Sequence, residues 1–96
     1  MFGKEIDHAK ILDEGFNELG DIIIYDDGFS ITTDKINIKG GFNYIKDITS
    51  EGGLSLGRVL VTLDAFDVLG DEHKIRVAMP EQTYLILKKK WEKSME

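Results

Sequence analysis

The chain has no cysteine, a single proline, two histidines and one tryptophan in 96 residues. Without cysteine there is no disulfide, no thiolate nucleophile and no cysteine-ligated zinc. A secreted domain this small usually depends on disulfide staples, so a reducing, cytoplasmic setting is expected. The two histidines, His8 and His73, stand far apart with no ligand motif around either. Zinc needs three or four donors in defined geometry, so no metal and no cofactor is expected. Long apolar runs are missing as well. None approaches the roughly 20 residues of a spanning helix, and Met1-Phe2-Gly3-Lys4-Glu5 leads into charge, not into an apolar signal core. An integral membrane protein is therefore not expected. Internal repeats, low-complexity tracts and linkers are absent too.

What remains is an ordinary globular composition, 42% hydrophobic and 31% charged, too apolar for a disordered chain. The length suits a single domain, residues 1–96, that buries roughly 60–70% of its unfolded surface and has little left for a deep cleft. The formal net charge is −6, unevenly spread. Residues 1–27 carry eight acids against two lysines, residues 28–83 eight acids against six bases, and the last thirteen four lysines against two glutamates. Phosphate backbones select basic faces, so nucleic acid is not an expected partner.

The pattern is two-fold before Pro80 and helical after it. Asp21-Ile22-Ile23-Ile24-Tyr25 is β-branched and aromatic, as a strand would be. Asp27-Gly28 follows, a pair suited to a type I′ hairpin turn. Phe29, Ile31 and Thr33 alternate with Ser30 and Thr32. Ile36-Asn37-Ile38-Lys39 then completes a three-stranded meander that ends at Gly40-Gly41. Tyr44 to Ile48 reads as a fourth short strand and Ser50-Glu51-Gly52-Gly53 as a flexible break. From Arg58, the residues Val59, Val61, Leu63 and Ala65 alternate with Leu60, Thr62 and Asp64, while Phe66 and Val68 fall on the opposite phase. A bulge near Ala65-Phe66 would reconcile the two halves. After a turn at Gly70 to His73, Ile75, Val77 and Met79 form the last strand. Residues 4–19 are ambiguous. Ile6, Ala9, Leu12, Phe16 and Leu19 fit a helix interrupted by Gly15, but a strand from His8 to Leu12 followed by a loop is also readable, and the fold resemblance given below favours it.

Pro80, an acid at Glu81 and four lysines near the end mark a C-terminal helix over about 80–95. Tyr84, Leu87, Trp91 and Met95 form its apolar stripe. The fold class is thus mainly β: about six or seven antiparallel strands in a small bent-sheet barrel, capped by one amphipathic helix.

Three segments resemble the pleckstrin-homology-like superfold, in its GRAM and bacterial pleckstrin-homology branch. Gly20 to Tyr25 looks like that family's glycine-led strand entering a tight hairpin. Phe42-Asn43-Tyr44-Ile45-Lys46-Asp47-Ile48 resembles its aromatic-x-x-acidic-Ile segment. Lys74 to Met79, with the helix up to Trp91, is similar to its last strand and capping helix. The resemblance spans roughly residues 10–95 and implies a bent sheet plugged at one end by Leu87 and Trp91. Some members bind phosphoinositides through basic residues between the first two strands. Here the matching stretches, Asp13 to Asp21 or Asp26-Asp27-Gly28, are acidic, which counts against that ligand. The superfold also serves as a peptide- and protein-binding scaffold, so fold alone does not assign a role.

Several constellations invite chemistry. Gly53-Leu54-Ser55-Leu56-Gly57 matches the G-x-S-x-G nucleophile elbow, which requires a strand before the serine and a helix after it. A glycine loop precedes it and a strand pattern follows, so a linking loop is the expectation. Asp26-Asp27 and the pair Asp64 and Asp67 lack a calcium-loop pattern. Turn solvation explains the first pair and edge protection the second. No enzyme is expected. Lys88, Lys89, Lys90 and Lys93 complement the dipole at a helix end, and they are also the candidate contact for an anionic lipid headgroup. Leu85 and Ile86 lie off the core stripe and are the candidate docking patch. The expected role is a non-catalytic binding module for a protein or peptide. Peripheral lipid contact through the lysines is the alternative, and a homodimer through an edge strand is compatible with the pattern.

Overall fold

A computed structural model describes residues 2–53 and 55–96 of the chain. Seven strands precede one helix: β1 (Glu5–Leu12), β2 (Glu18–Tyr25), β3 (Phe29–Thr33), β4 (Asn37–Gly40), β5 (Ile45–Gly53), β6 (Arg58–Phe66), β7 (Glu72–Pro80) and α1 (Glu81–Ser94). They form a single antiparallel sheet in the order β4-β3-β2-β1-β7-β6-β5. The sheet is bent but not closed, with β4 and β5 as its outer strands.

Glu5–Leu12 is a strand, not the first part of a helix. Asp13 ends it. Its carboxylate accepts the backbone N–H groups of Gly15 and Asn17, both at 2.9 Å, and folds the chain back into β2. Asp27-Gly28 does close the β2–β3 turn, with Tyr25 N–H donating to the Gly28 carbonyl at 2.8 Å. It is not a type I′ turn, because neither residue has a positive φ. Gly28 is needed there for proximity, since a Cβ would lie 2.5 Å from the Phe2 ring and 2.6 Å from the Gly40 carbonyl oxygen. Residues 50–53, expected as a break, belong to β5. No bulge interrupts β6 near Ala65, whose register with β7 runs unbroken from Arg58↔Pro80 to Phe66↔Glu72. The extra residue sits in the partner strand: Ile45 faces Ala65 and Asp47 faces Asp64, leaving Lys46 unpaired. A second shift leaves Glu51 over between Ser50↔Val61 and Gly52↔Leu60.

The core fills the concave face of the sheet. Ile11, Ile22, Ile24, Phe29, Ile31, Ile38, Val61 and Leu63 are completely buried there, and Leu87 closes it from the helix side. The helix ties β1, the β2–β3 turn and β5 together. Thr83 Oγ1 donates to Asp7 on β1 at 2.7 Å, Lys90 Nζ to the Asp26 carbonyl at 3.1 Å, and Trp91 Nε1 to the Ile45 carbonyl at 3.0 Å. Met95, expected on the buried stripe, is 61% exposed because the last helical residue is Ser94. Thr83 is buried instead, held by its bond to Asp7.

Candidate functional site

Between β1 and β7 the ladder is almost absent. Leu12↔Ala78 is their only paired position among the described residues. β1 stops at Leu12 because Asp13 turns the chain, while β7 begins six residues before Ala78, at Glu72. The stretch Glu72–Val77 is therefore bonded to β6 on one side and, among the described residues, unpaired on the other. In an antiparallel strand every second residue directs its N–H and C=O to the same side, so this overhang carries free backbone donors and acceptors.

A groove of about 350 Å³ lies beside the overhang. Leu19, Ile36, Ile75 and Val77 wall it. Leu19, the residue left over where β1–β2 pairing shifts from Ile11↔Gly20 to Leu12↔Glu18, is turned out of the ladder by that bulge. Ile36 is held by the β3–β4 turn, in which the Thr33 N–H donates to the Ile36 carbonyl at 2.9 Å and the Thr33 hydroxyl accepts the Ile36 N–H at 3.1 Å. The groove thus opens at the end of the sheet where β1 and β2, β3 and β4 are joined.

The cations Arg76 and Lys10 at its rim are each shared between two carboxylates. Arg76 grips Glu51 through Nε at 2.9 Å and Nη2 at 3.1 Å, and its Nη1 reaches Glu14 in the β1–β2 turn. The bulge that leaves Glu51 unpaired also aims its carboxylate at Arg76, and Thr62 donates to the same group. Arg76 followed by Thr62 holds the Glu51 carboxyl below its ordinary range, and Glu51 raises the Arg76 guanidinium. Lys10 bonds Glu18 at 3.3 Å and Asp21 at 3.0 Å, and Lys10 is the main cause of a lowered Asp21 pKa. Asp34 stands beside Lys35 on the remaining side.

The residues singled out in the sequence lie elsewhere. Of the lysines, Lys90 is tied to the Asp26 carbonyl and Lys88 sits 5.8 Å from the centre of the Tyr84 ring. Lys89 and Lys93, one turn apart, make no ion pair among the described residues. Leu85 is 54% exposed, but Ile86 packs against the core, so the two do not join into one patch. Leu54 and the Ser55 side chain, at the heart of the G-x-S-x-G match, lie outside the described residues. His8 and His73 pair with different carboxylates, Asp21 at 3.6 Å and Asp67 at 2.8 Å. Among the described residues no group of three or more metal-type side chains converges.

Asp64 is not an edge guard. β6 is an inner strand, and Asp64 is buried between Asp47 and Lys74. Asp67 instead organises the β6–β7 turn: it accepts from Leu69 and Asp71 backbone N–H groups at 2.9 and 3.0 Å and bonds His73. His73 and then those two N–H groups draw its pKa down against the opposing effect of desolvation. That turn holds Val68 and Leu69 in solvent, 73% and 84% exposed.

The architecture is a mainly β class, one bent antiparallel sheet strapped by a C-terminal helix, with an open inner edge beside an apolar groove. Compared with known proteins, the chain matches no family model, no curated protein and no solved structure. No helix among the described residues is long and apolar enough to cross a membrane.

Proposed function

We propose that the chain is a non-catalytic interaction domain of pleckstrin-homology-like architecture, acting in the cytoplasm by holding a protein or peptide partner. The observation that carries this reading is the unpaired Glu72–Val77 edge next to the groove of Leu19, Ile36, Ile75 and Val77. A free strand edge supplies main-chain hydrogen bonds, and an adjoining apolar groove supplies side-chain discrimination. The element order, a four-stranded meander followed by three strands and one helix, also supports the architectural reading.

The lipid alternative rests on Lys89 and Lys93. With Lys90 and Lys88 engaged inside the molecule, that leaves a pair of charges in place of a four-lysine collar. The test is a mild capture from native lysate with both proteins and lipids identified, run on the unaltered chain and on Ile36→Lys. A protein held by the former and lost with the latter supports the interaction reading. Enrichment of anionic lipid alone, lost in Lys89→Glu/Lys93→Glu, overturns it.

A further inference from the structure

We infer that the β1–β2 turn is a salt-sensitive latch across the free edge of β7, held shut by Glu14 on Arg76; it regulates the edge on which the interaction reading above rests. The register places the two residues. Leu12 pairs with Ala78, so one further step along each antiparallel strand sets Asp13 beside Val77, and the next sets Glu14 beside Arg76. The backbone ladder has ended by then, and an opposite-charge pair stands where the next cross-strand pair would be. Among the described residues it is the one side-chain bond that joins residues 13–17 to the rest of the molecule.

The turn is built to move as one piece. The Asp13 carboxylate accepts the Gly15 and Asn17 N–H groups at 2.9 Å and the Asn17 side-chain amide at 3.2 Å, and the Asp13 N–H donates to the Asn17 carbonyl at 2.9 Å. All these bonds lie inside the turn, so none breaks when it swings. Its joint to the sheet is the shift between Ile11↔Gly20 and Leu12↔Glu18, and a bulge is where a ladder bends. No buried apolar anchor pins it: Glu14 to Glu18 are all exposed, Phe16 among them. The two carboxylates on Arg76 are also unequal. Glu51 takes two bonds, from Nε and Nη2, and its side chain is 33% exposed. Glu14 takes one, from Nη1, and its side chain is 59% exposed. Water and salt therefore compete first for the Glu14 arm. Screening lengths fall from about 10 Å at 0.1 M salt to about 3 Å at 1 M. When the arm opens, Arg76 keeps Glu51 and no charge is stranded. Shut, the turn stands across the line that a strand pairing with β7 would follow; open, it leaves Glu72–Val77 clear.

The test is NMR of the ¹⁵N-labelled full chain as NaCl is raised from about 0.02 M to about 1 M. Amide peaks of Asp13 to Glu18 should move along a straight line toward their positions in Glu14→Lys, where attraction is replaced by repulsion. The open fraction should rise about two- to five-fold, and Glu14→Gln should lose that salt response. Glu72→Gln, which removes an ion pair with Lys46 at the start of the same strand, should leave the response intact. A protein captured from lysate should be held about two- to five-fold more tightly by Glu14→Gln than by the unaltered chain. Peaks that stay still with salt, leave the line, or respond equally in Glu14→Gln overturn the latch, while the interaction reading stands if Ile36→Lys still loses the captured protein. Peaks that move as expected while Glu14→Gln holds that protein no more tightly overturn the regulation. If no protein is captured, the interaction reading fails and the regulation of that edge falls with it.

Discussion

Gly20→Ala should be among the most damaging small substitutions in this chain, for a reason visible only in three dimensions. Gly20 is on β2, opposite Ile11 on β1 and Thr33 on β3. A Cβ there would sit 1.9 Å from the Thr32 carbonyl oxygen, 2.9 Å from its carbonyl carbon and 3.0 Å from Thr33 Cα. All three are backbone atoms of the neighbouring strand, so no rotamer change relieves the clash. Either β2 and β3 separate locally and lose ladder bonds, or the β2 bulge at Leu19 is displaced. Overpacking costs about 1–3 kcal/mol where side chains can adjust. With only backbone to move, about 3 kcal/mol is expected, which lowers Tm by roughly 12–24 °C in a domain of this size. Gly53→Ala is the matched control, because a Cβ at that position meets nothing within 4 Å among the described residues and its φ is not positive. It should change stability by less than about 0.5 kcal/mol. Urea denaturation followed by circular dichroism gives both midpoints, and an unchanged m-value keeps the comparison two-state. If Gly20→Ala unfolds within about 0.5 kcal/mol of the parent, the close approach of β2 and β3 is not as described.

The helix strap gives two further expectations. Leu87→Ala removes a fully buried plug and should cost about 2–5 kcal/mol by thermal or chemical melting. Trp91→Phe keeps a ring but deletes the bond to the Ile45 carbonyl, costing about 1 kcal/mol, with hydrogen exchange at the start of β5 rising before that of β6. Acid should weaken the fold through carboxylates whose pKa values are lowered, among them Asp67, drawn down by His73. A lowered folded-state pKa gives stability that is present above the unfolded value of about 3.9 and is lost as pH falls through the folded value. Asp67→Asn should therefore flatten the Tm profile below about pH 4, and an unaltered acid limb would remove Asp67 from the account.

How much of this was readable in advance depends on how local the cause is. The β2–β3–β4 meander is local: β-branched runs separated by Asp-Gly and Asp-Lys turns, all paired with sequence neighbours. The helix was equally legible from Pro80, Glu81 and the spacing of Tyr84, Leu87 and Trp91. β1 was ambiguous because its apolar residues also fit a helical spacing; what decides the matter is Asp13 bonding Gly15 and Asn17. The phase change at Ala65-Phe66 was visible, but a bulge belongs to a pair of strands, and one sequence segment does not say which strand carries it. The groove was not legible at all. Its walls come from β2, the β3–β4 turn and β7, and only the order of strands in the sheet brings them together. The lysines are conspicuous by repetition, whereas Arg76, which binds two carboxylates, is one residue in a strand of mixed charge.

The lone Leu12↔Ala78 bridge also bears on how the molecule comes together. Every other strand pair joins neighbours in sequence, β1 to β4 in one series and β5 to β7 in another. Each series closes short loops and so forms at small entropic cost, leaving the pair separated by 66 positions, together with helix docking, as the late long-range step. A cut at Gly41, between the two series, leaves every strand pair but that one within a single fragment. The two pieces are then natural complements, 1–41 and 42–96, with the helix of the second carrying the Thr83 and Lys90 contacts that recapture the first.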